Sequence, residues 1–479
     1  MAVACIAVAS QMISCNTTFQ PIRFDEPGPH RSRTHSTYDS SRYRLDEIIV
    51  MFRKKPEQTQ IDKLKGQIHA TGIDSATINI RKCNSCNDYV QVWHATDLHS
   101  KIHADGIRAG QVSDRGSKGV GEDGLAYYSL NFTQNIPVDS LANFEDFNYS
   151  GLKKVANDTV GKEVVRIAVL DTGIDTERII NASYRWTNER ELSAEEKGRG
   201  VDNDNNCFID DSFGWNFITN NSDVMDDNKG RHGTLVSHYI INEFANSLNK
   251  AVKLMTLKTH DEHGSGDLFS SICAIHYAME KGAKIINASW GFYYYQDGPH
   301  PYLDSLITMV LREKGILFVA AAGNKIDQFD KDASDAYFAK HGIPFPQNYL
   351  RNLEYHNFYP ACLSRDDNNV ITVTTADQTR VSPTQNYSSK YVDFGSIPDD
   401  LNAMRFKVPF AGPVQTISGS SFAAPIVTGR IGASLPNSSY VPKIDKRKVF
   451  RQMQNAGLTK TSSLLQSEHI RKGRITPHN

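Results

Sequence analysis

The chain has 479 residues, more than one average domain requires, and its 53 Lys and Arg balance 54 Asp and Glu to a net charge of −1. That balance argues against the basic face of a nucleic-acid binder, and no nucleic-acid partner is expected. Seven cysteines spread over this length exclude a small, disulfide-dense scaffold.

Residues 1–15 form a short apolar run that ends in Ile13-Ser14-Cys15. The run is too short to span a membrane and fits the apolar core of a secretory signal. Its end resembles the cleavage box of bacterial lipoproteins, with Cys15 as the lipidated residue. No Lys or Arg precedes it, so the usual charged leader is absent, and an apolar tail with no targeting role is the alternative. Residues 16–44, rich in Pro, Ser, Thr, His and Arg, read as a linker. A small α+β domain is expected over 45–140. Its predicted elements are a strand at Glu47–Phe52, a helix at Glu57–His69, and strands at Ala76–Ile80 and Tyr89–Trp93. Cys83-Asn84-Ser85-Cys86 is a lone C-x-x-C. Without a second pair it is a poor zinc site and reads as two free thiols or one small-loop disulfide. Residues 106–124, rich in Gly, Ser and Asp, read as a loop.

Residues 150–479 alternate between apolar strands and helices. Predicted strands lie at Val164–Leu170, Val252–Leu257, Lys284–Ser289, Ile316–Ala321 and Asn369–Thr374. Predicted helices follow His232 and cover Leu268–Lys281 and Tyr302–Lys314. This alternation defines an α/β fold with a parallel sheet and helices on both faces. Ligands of such sheets bind beyond the carboxyl ends of the strands. Asp171, Ser289 and the pair Gly323-Asn324 each stand just past a predicted strand end. Between Asp171 and His232, the run containing Asp202, Asp204, Asn206 and Asp210 spaces oxygen ligands as hard-cation loops do, with the Phe208 carbonyl available. It is a candidate calcium loop, although Cys207 stands where an EF-hand loop needs Gly; the alternative is an acidic surface loop. The basic stretch Lys443–Arg451 reads as a solvated helix face.

A serine hydroxyl attacks a carbonyl only with a base beside it and a group that orients the base. Three segments supply these parts: Val169-Leu170-Asp171-Thr172-Gly173, Arg231-His232-Gly233-Thr234 and Ser418-Gly419-Ser420-Ser421-Phe422-Ala423-Ala424-Pro425. Ser421 opens an apolar helix, where backbone N–H groups and the helix dipole favour an oxyanion. Ser420 is the rival nucleophile. His232 opens another helix, and Asp171 can accept its second ring N–H, while Asp175 reads as structural.

In the order Asp, His, Ser, these segments resemble the subtilisin-like serine proteases, the subtilases, whose residue order is well known. The family pattern places Ser421 in the catalytic slot and Ser420 where Thr is usual. The resemblance implies that Asn324, in Ala320-Ala-Ala-Gly-Asn324, donates to the oxyanion. Losing such a donor lowers turnover by about 10²–10³, a magnitude known from this same family. It implies that Gly264, Ser265, Gly266 and Ser289, Trp290, Gly291 bind an extended polypeptide substrate by strand addition. Trp290 replaces a smaller apolar residue and either narrows a pocket or packs. The resemblance runs from about Val164 to the C-terminus and includes Tyr359-Pro360-Ala361. Lys325–Phe358 is an insertion placed to shape the pocket for the residue before the scissile bond. It also implies that the α+β domain is a propeptide, an intramolecular inhibitor cut off during maturation between Tyr127 and Tyr149; an unrelated small module is the alternative.

The expectation is an extracytoplasmic serine endopeptidase, secreted or lipid-anchored to the cell envelope and made as a zymogen, with no organic cofactor. A maturation protease or ligase for one partner peptide would use the same residues, and an inactive peptide-binding module would keep the fold without them.

Overall fold

A computed structural model describes residues 43–52, 55–69, 72–98 except 85, 87 and 97, 125–136, 155–192, 200–293, 301–346, 349–408, 415–436, 443–466 and 469–476. The leader with Cys15, nearly all of the linker, the loop at 106–124 and the junction at 137–149 lie outside the described residues. Among the described residues no helix is long and apolar enough to cross a membrane.

The N-terminal domain is an antiparallel sheet with one helix on it. Strand β1 (Tyr43–Phe52) lies between β3 (Val90–His94) and β4 (Leu125–Asn135), and β2 (Asn79–Lys82) flanks β3. Helix α1 (Gln58–His69) covers one face, where Ile48, Val50, Ile68 and Trp93 pack together. The strand expected at Ala76–Ile80 begins later. Asp74 accepts a hydrogen bond from the Ala76 N–H and turns Ser75–Thr77 into a 3₁₀ segment, so extended backbone starts at Asn79. β4 was not expected. It is hydrogen-bonded into the sheet, so a cut anywhere from Tyr127 to Asn135 would fall inside a paired strand.

The larger domain carries a nine-stranded sheet. Its strands are β5 (Glu163–Asp171), β6 (Gly214–Asn216), β7 (Lys250–Lys258), β9 (Ile285–Ala288), β11 (Leu317–Ala321), β13 (Val370–Thr375), β14 (Phe394–Ser396), β17 (Lys460–Thr461) and β18 (Arg474–Thr476). The spatial order is β17-β18-β14-β13-β11-β9-β5-β7-β6, and only the β17–β18 pairing is antiparallel. Two-sided burial explains the largely apolar character of β5, β9, β11 and β13. From β5 the chain winds outward to β6 and β7, then returns to β9 on the other side. The order therefore reverses between β5 and β9, and the crevice past their carboxyl ends is where an open α/β sheet binds its ligand.

Helices α2 (His232–Phe244) and α5 (Ser420–Ser434) share an apolar cluster with one face of the sheet, tied by a buried ion pair of Arg430 with Glu243 at 2.8 Å. Helix α3 (Leu268–Glu280) lies on the other face. The insertion holds helix α4 (Asp327–His341), and the basic stretch forms α6 (Lys446–Asn455). That helix corrects one expectation: Arg447, Lys448 and Arg451 are exposed, but Lys446 is buried, 3.0 Å from Asp393 and 2.8 Å from the Ser364 hydroxyl. Burial lowers its pKa to about 8.

The two domains share one core. Tyr43, Met51, Val90, Leu130 and Phe132 belong to the same apolar cluster as Leu268, Phe269 and Ile272 of α3. β4 then runs onto the larger domain as an antiparallel partner of β8 (Ser265–Asp267). The cysteines correct another expectation. Cys83 and Cys86 are neither free nor paired with each other: Cys83 is bonded to Cys273 on α3 and Cys86 to Cys207 in the acidic loop.

Candidate active site

Asp171 ends β5 and His232 opens α2, and the local folding of two loops brings them together. Thr172 donates its hydroxyl to Asp226 at 2.9 Å and accepts from the Gly233 N–H at 2.9 Å. Asp226 also accepts from the N–H and hydroxyl of Thr234 and from the Asn228 N–H. Gly233 is required by proximity: a Cβ there would stand 2.3 Å from the Gly173 carbonyl oxygen. His232 Nδ1 then lies 2.7 Å from Asp171 Oδ1, which also accepts the Thr172 N–H at 2.8 Å. A carboxylate only accepts, so Nδ1 carries a proton, and in the neutral imidazole the lone pair is then on Nε2. Nε2 has no hydrogen-bond partner. Asp175, read as structural in the sequence, holds Arg178 and Arg231, and its N–H donates to Thr234 Oγ1.

Ser421 stands in the first turn of α5, and the Phe422 ring lies 5.1 Å from the His232 imidazole. Its hydroxyl donates to the Ser289 carbonyl at 3.0 Å, and Ser289 Oγ donates to the Ser421 carbonyl at 2.8 Å. Pro425 explains the second bond, because a proline has no N–H to give the carbonyl four residues before it. The rival, Ser420, is committed elsewhere. Its hydroxyl accepts from the Gly323 N–H at 3.0 Å and donates to Asn324 Oδ1 at 3.1 Å, while its own N–H donates to the same oxygen at 2.9 Å. Asn324 is thereby held by its oxygen, and its Nδ2 faces Gly419. With the N-terminal domain in place, Asp171, His232 and Ser421 are only 1%, 5% and 4% exposed.

Gly264, Ser265 and Gly266 form the edge that β4 covers. Thr133 pairs with Asp267, Gln134 with Gly266 and Asn135 with Ser265, and the Ile136 N–H donates to the Gly264 carbonyl at 2.8 Å. Gly291 and Gly323 face one side chain, Phe358. A Cβ on Gly291 would meet the Phe358 ring at 2.3 Å, and one on Gly323 would meet it at 2.8 Å. Phe358 itself packs edge-on against Tyr293, which also stacks on His356 and touches Phe329 of α4. Trp290 is buried, 6.3 Å from the His260 ring.

In the acidic loop, Asp202 and Asp204 converge with Glu191, but Asp210 does not join them. Asp210 accepts the Gly200 N–H, and Asn206 is engaged with Phe208 and Asp211. Glu191 is buried with one carboxylate oxygen unpaired. Burial pushes its pKa up, and the charge of Asp211 adds to this. Burial also raises Asp204, but Lys281 and Asn188 outweigh it and hold the carboxyl below its ordinary value. Cys207 adopts φ +68°, the conformation for which such loops use Gly.

Residues 161–447, more than half the chain, match the subtilase family. The chain belongs to this family of serine proteases. It is 28% identical over 317 residues to subtilisin-like protease 1 of Plasmodium berghei, covering 65% of this chain and 47% of that protein. It is 32% identical over 216 residues to subtilisin-like protease 1 of Plasmodium vivax, covering 44% and 30%. The chain thus matches less than half the length of these curated relatives. Fervidolysin from Fervidobacterium pennivorans, a keratinolytic enzyme related to subtilisin, has a TM-score of 0.50 at 15% identity, over 92% of this chain and 61% of that one. That likeness carries the fold alone, and the fold is the subtilisin-like α/β one.

Four groups were not legible beforehand: Asp226, His260, Phe358 and Glu191. His260 lies under β8, and a Cβ on Gly266 would stand 2.7 Å from its ring. Burial lowers the pKa of His260 to about 4, with Asp171 pulling the other way, and burial alone lowers His238 and His276 to about 4. An unfolded chain protonates these rings below about pH 6.5, whereas the folded chain keeps them neutral until about pH 4. Between those values the unfolded state binds more protons, so the stability is complete above the window and lost as pH falls through it. One such ring accounts for roughly 3 kcal/mol. Urea midpoints taken from about pH 7 down to about pH 4.5 should fall steadily, and less steeply in His260→Gln. A flat profile would rule the assignment out.

Proposed function

We propose that the chain is a serine endopeptidase. Ser421 attacks the peptide carbonyl, His232 Nε2 takes its proton and returns it to the leaving amine, and Asp171 orients and stabilises the imidazolium. A water then repeats the cycle in reverse and frees the acid. Asn324 Nδ2 and the Ser421 N–H, unpaired at the start of α5, hold the oxyanion. The observation that carries this reading is the Asp171–His232 bond, which leaves an unpaired Nε2 beside the helix that bears Ser421. Ser421 reaches it by turning its hydroxyl from the Ser289 carbonyl. The engagement of Ser420 on both sides favours Ser421 over its neighbour, and the filled positions favour an enzyme over an inactive binder.

The substrate is an extended polypeptide laid between Gly264–Gly266 and Ser289–Gly291. With its carbonyl at Ser421 and Asn324, the residue before the scissile bond projects between Gly291 and Gly323. The Phe358 ring fills that space, so the reading favours substrates with a small residue there. The N-terminal domain is an inhibitory propeptide, supported by β4 lying on the substrate edge in antiparallel register. Disulfides persist in oxidising surroundings, and two of them together with the Ile13-Ser14-Cys15 box support an extracytoplasmic protein, secreted or anchored through Cys15. Glu191, Asp202 and Asp204 would hold calcium, a hard cation that takes carboxylate oxygens; the unpaired buried oxygen of Glu191 supports this set.

Ser421→Ala should abolish both proteolysis and labelling by a fluorophosphonate, while Ser420→Ala keeps the label; the reverse pattern would overturn the nucleophile. Phe358→Gly should raise kcat/KM about tenfold or more for peptides with Leu or Phe before the cut, and a wild-type preference for those residues would refute the filled pocket. Calcium at about 100 times its Kd should stabilise the protein by about 2.7 kcal/mol, an effect lost in Glu191→Gln, and a melting temperature indifferent to calcium and chelator removes the site.

A further inference from the structure

The chain passes from the N-terminal domain to the catalytic domain through 137–154, and on the propeptide reading above a maturation cut would fall in this connection. Both disulfides bridge that stretch. Cys83 and Cys86 precede it, and their partners Cys273 and Cys207 follow it. We propose that the N-terminal domain is a permanently cross-linked subunit: cutting 137–154 yields two chains held by Cys83–Cys273 and Cys86–Cys207, and only thiol reduction separates them.

The surroundings of the two bonds make them unequal. Cys83 directly follows β2 and Cys273 sits in the middle of α3, and both are inside the core shared by the domains, at 4% and 2% exposure. Cys86 is exposed and Cys207 half-buried. Exchange needs a thiolate to reach a sulfur. A dithiol reductant therefore opens Cys86–Cys207 first. Each protein disulfide takes two electrons and two protons from the dithiol, which closes to its own disulfide, and two protein thiols result. The buried bond survives this first step and keeps the chains together.

The consequence for activity rests on the inhibitor reading above. A non-covalent inhibitor leaves on dilution below its Kd. A cross-linked one meets its site at a fixed effective concentration, which dilution does not change. Contacts around the bonds hold it in register: Arg81 donates to the Phe217 carbonyl at 3.1 Å and lies 3.7 Å from Asp267. Asn131 accepts the Phe269 N–H at 3.0 Å, and Gln134 accepts the Ser271 hydroxyl at 2.8 Å. Cleavage of the connection alone therefore leaves β4 on the substrate edge.

The test uses the full chain, oxidised and then cut by itself or by an added protease. Peptide mapping without reduction should recover Cys83–Cys273 and Cys86–Cys207 peptides, on cut and uncut chain alike. The cut protein should run as one band without reductant and as two with it. Mild dithiothreitol should open Cys86–Cys207 alone and release nothing. A Cys83–Cys86 peptide, or two bands without reductant, would overturn the proposal. Dilution by about 100-fold should leave the inhibited fraction unchanged until both bonds are reduced and alkylated, after which dilution restores activity. Both cross-links found in a cut protein that is fully active would refute the inhibitor reading and leave the cross-linked subunit standing.

Discussion

The geometry of the site depends on one buried carboxylate. Asp226 has no exposed surface, and burial raises its pKa against the pull of Thr234 and Thr172. A charge in such a place costs several kcal/mol unless hydrogen bonds replace its water. Here donors from Thr172, Asn228 and Thr234 do so. Thr172 follows Asp171 directly, and Thr234 lies two residues after His232. One side chain therefore clamps the end of β5 to the start of α2, and the 2.7 Å Asp171–His232 contact follows from that clamp. Gly233 completes it by letting the two backbones touch.

Five strands of the large sheet, β5, β7, β9, β11 and β13, were legible because two-sided burial writes them as largely apolar runs, whereas the two- and three-residue strands β6, β14, β17 and β18 are too short to leave such a pattern. The run expected at Val164–Leu170 is Glu163–Asp171, and Asn369–Thr374 is Val370–Thr375. The placement of Asp171, His232, Ser421 and Asn324 had a related cue, since each stands where a strand ends or a helix begins, but the roles expected of them came from the resemblance to the subtilase pattern. β4 was not legible. Its Asn131 and Gln134 are buried polar residues that satisfy the start of α3, more than a hundred residues away, and no local pattern announces a partner at that distance. Asp226, His260 and Phe358 were hidden in the same way. Lys446 misled because a basic run usually marks solvent, whereas this one ammonium turns inward to Asp393.

The acidic loop and the cysteines show a shared limit of spacing arguments. Two cysteines three apart suggest a local bond, and alternating acids suggest a local ligand set. In the fold, Cys83 points from the end of β2 into α3, while Cys86 meets Cys207 across the interface. Glu191, from an earlier 3₁₀ turn, takes the place beside Asp202 and Asp204 that the spacing gave to Asp210. Tertiary closure selected partners from outside each motif. The same closure explains how Cys207 occupies a glycine position: its positive φ aims the sulfur at Cys86.

Pro425 connects the binding edge to the proposed nucleophile. By withholding an N–H from the Ser421 carbonyl, it leaves that oxygen to the Ser289 hydroxyl. Ser289 begins the edge assigned to the substrate, and its own carbonyl holds the Ser421 hydroxyl. The edge and the start of α5 are thus joined by two reciprocal bonds, so displacement of one displaces the other. On the proposed reading, a strand seated on Ser289–Gly291 would compete for the carbonyl that restrains Ser421 and so free its hydroxyl to turn toward His232. Ser420 cannot follow, because its oxygen is needed to hold Gly323 and Asn324 in place. Of the two adjacent serines, Ser420 is committed to Gly323 and Asn324, while Ser421 is tied to Ser289 by the pair of bonds that Pro425 makes possible.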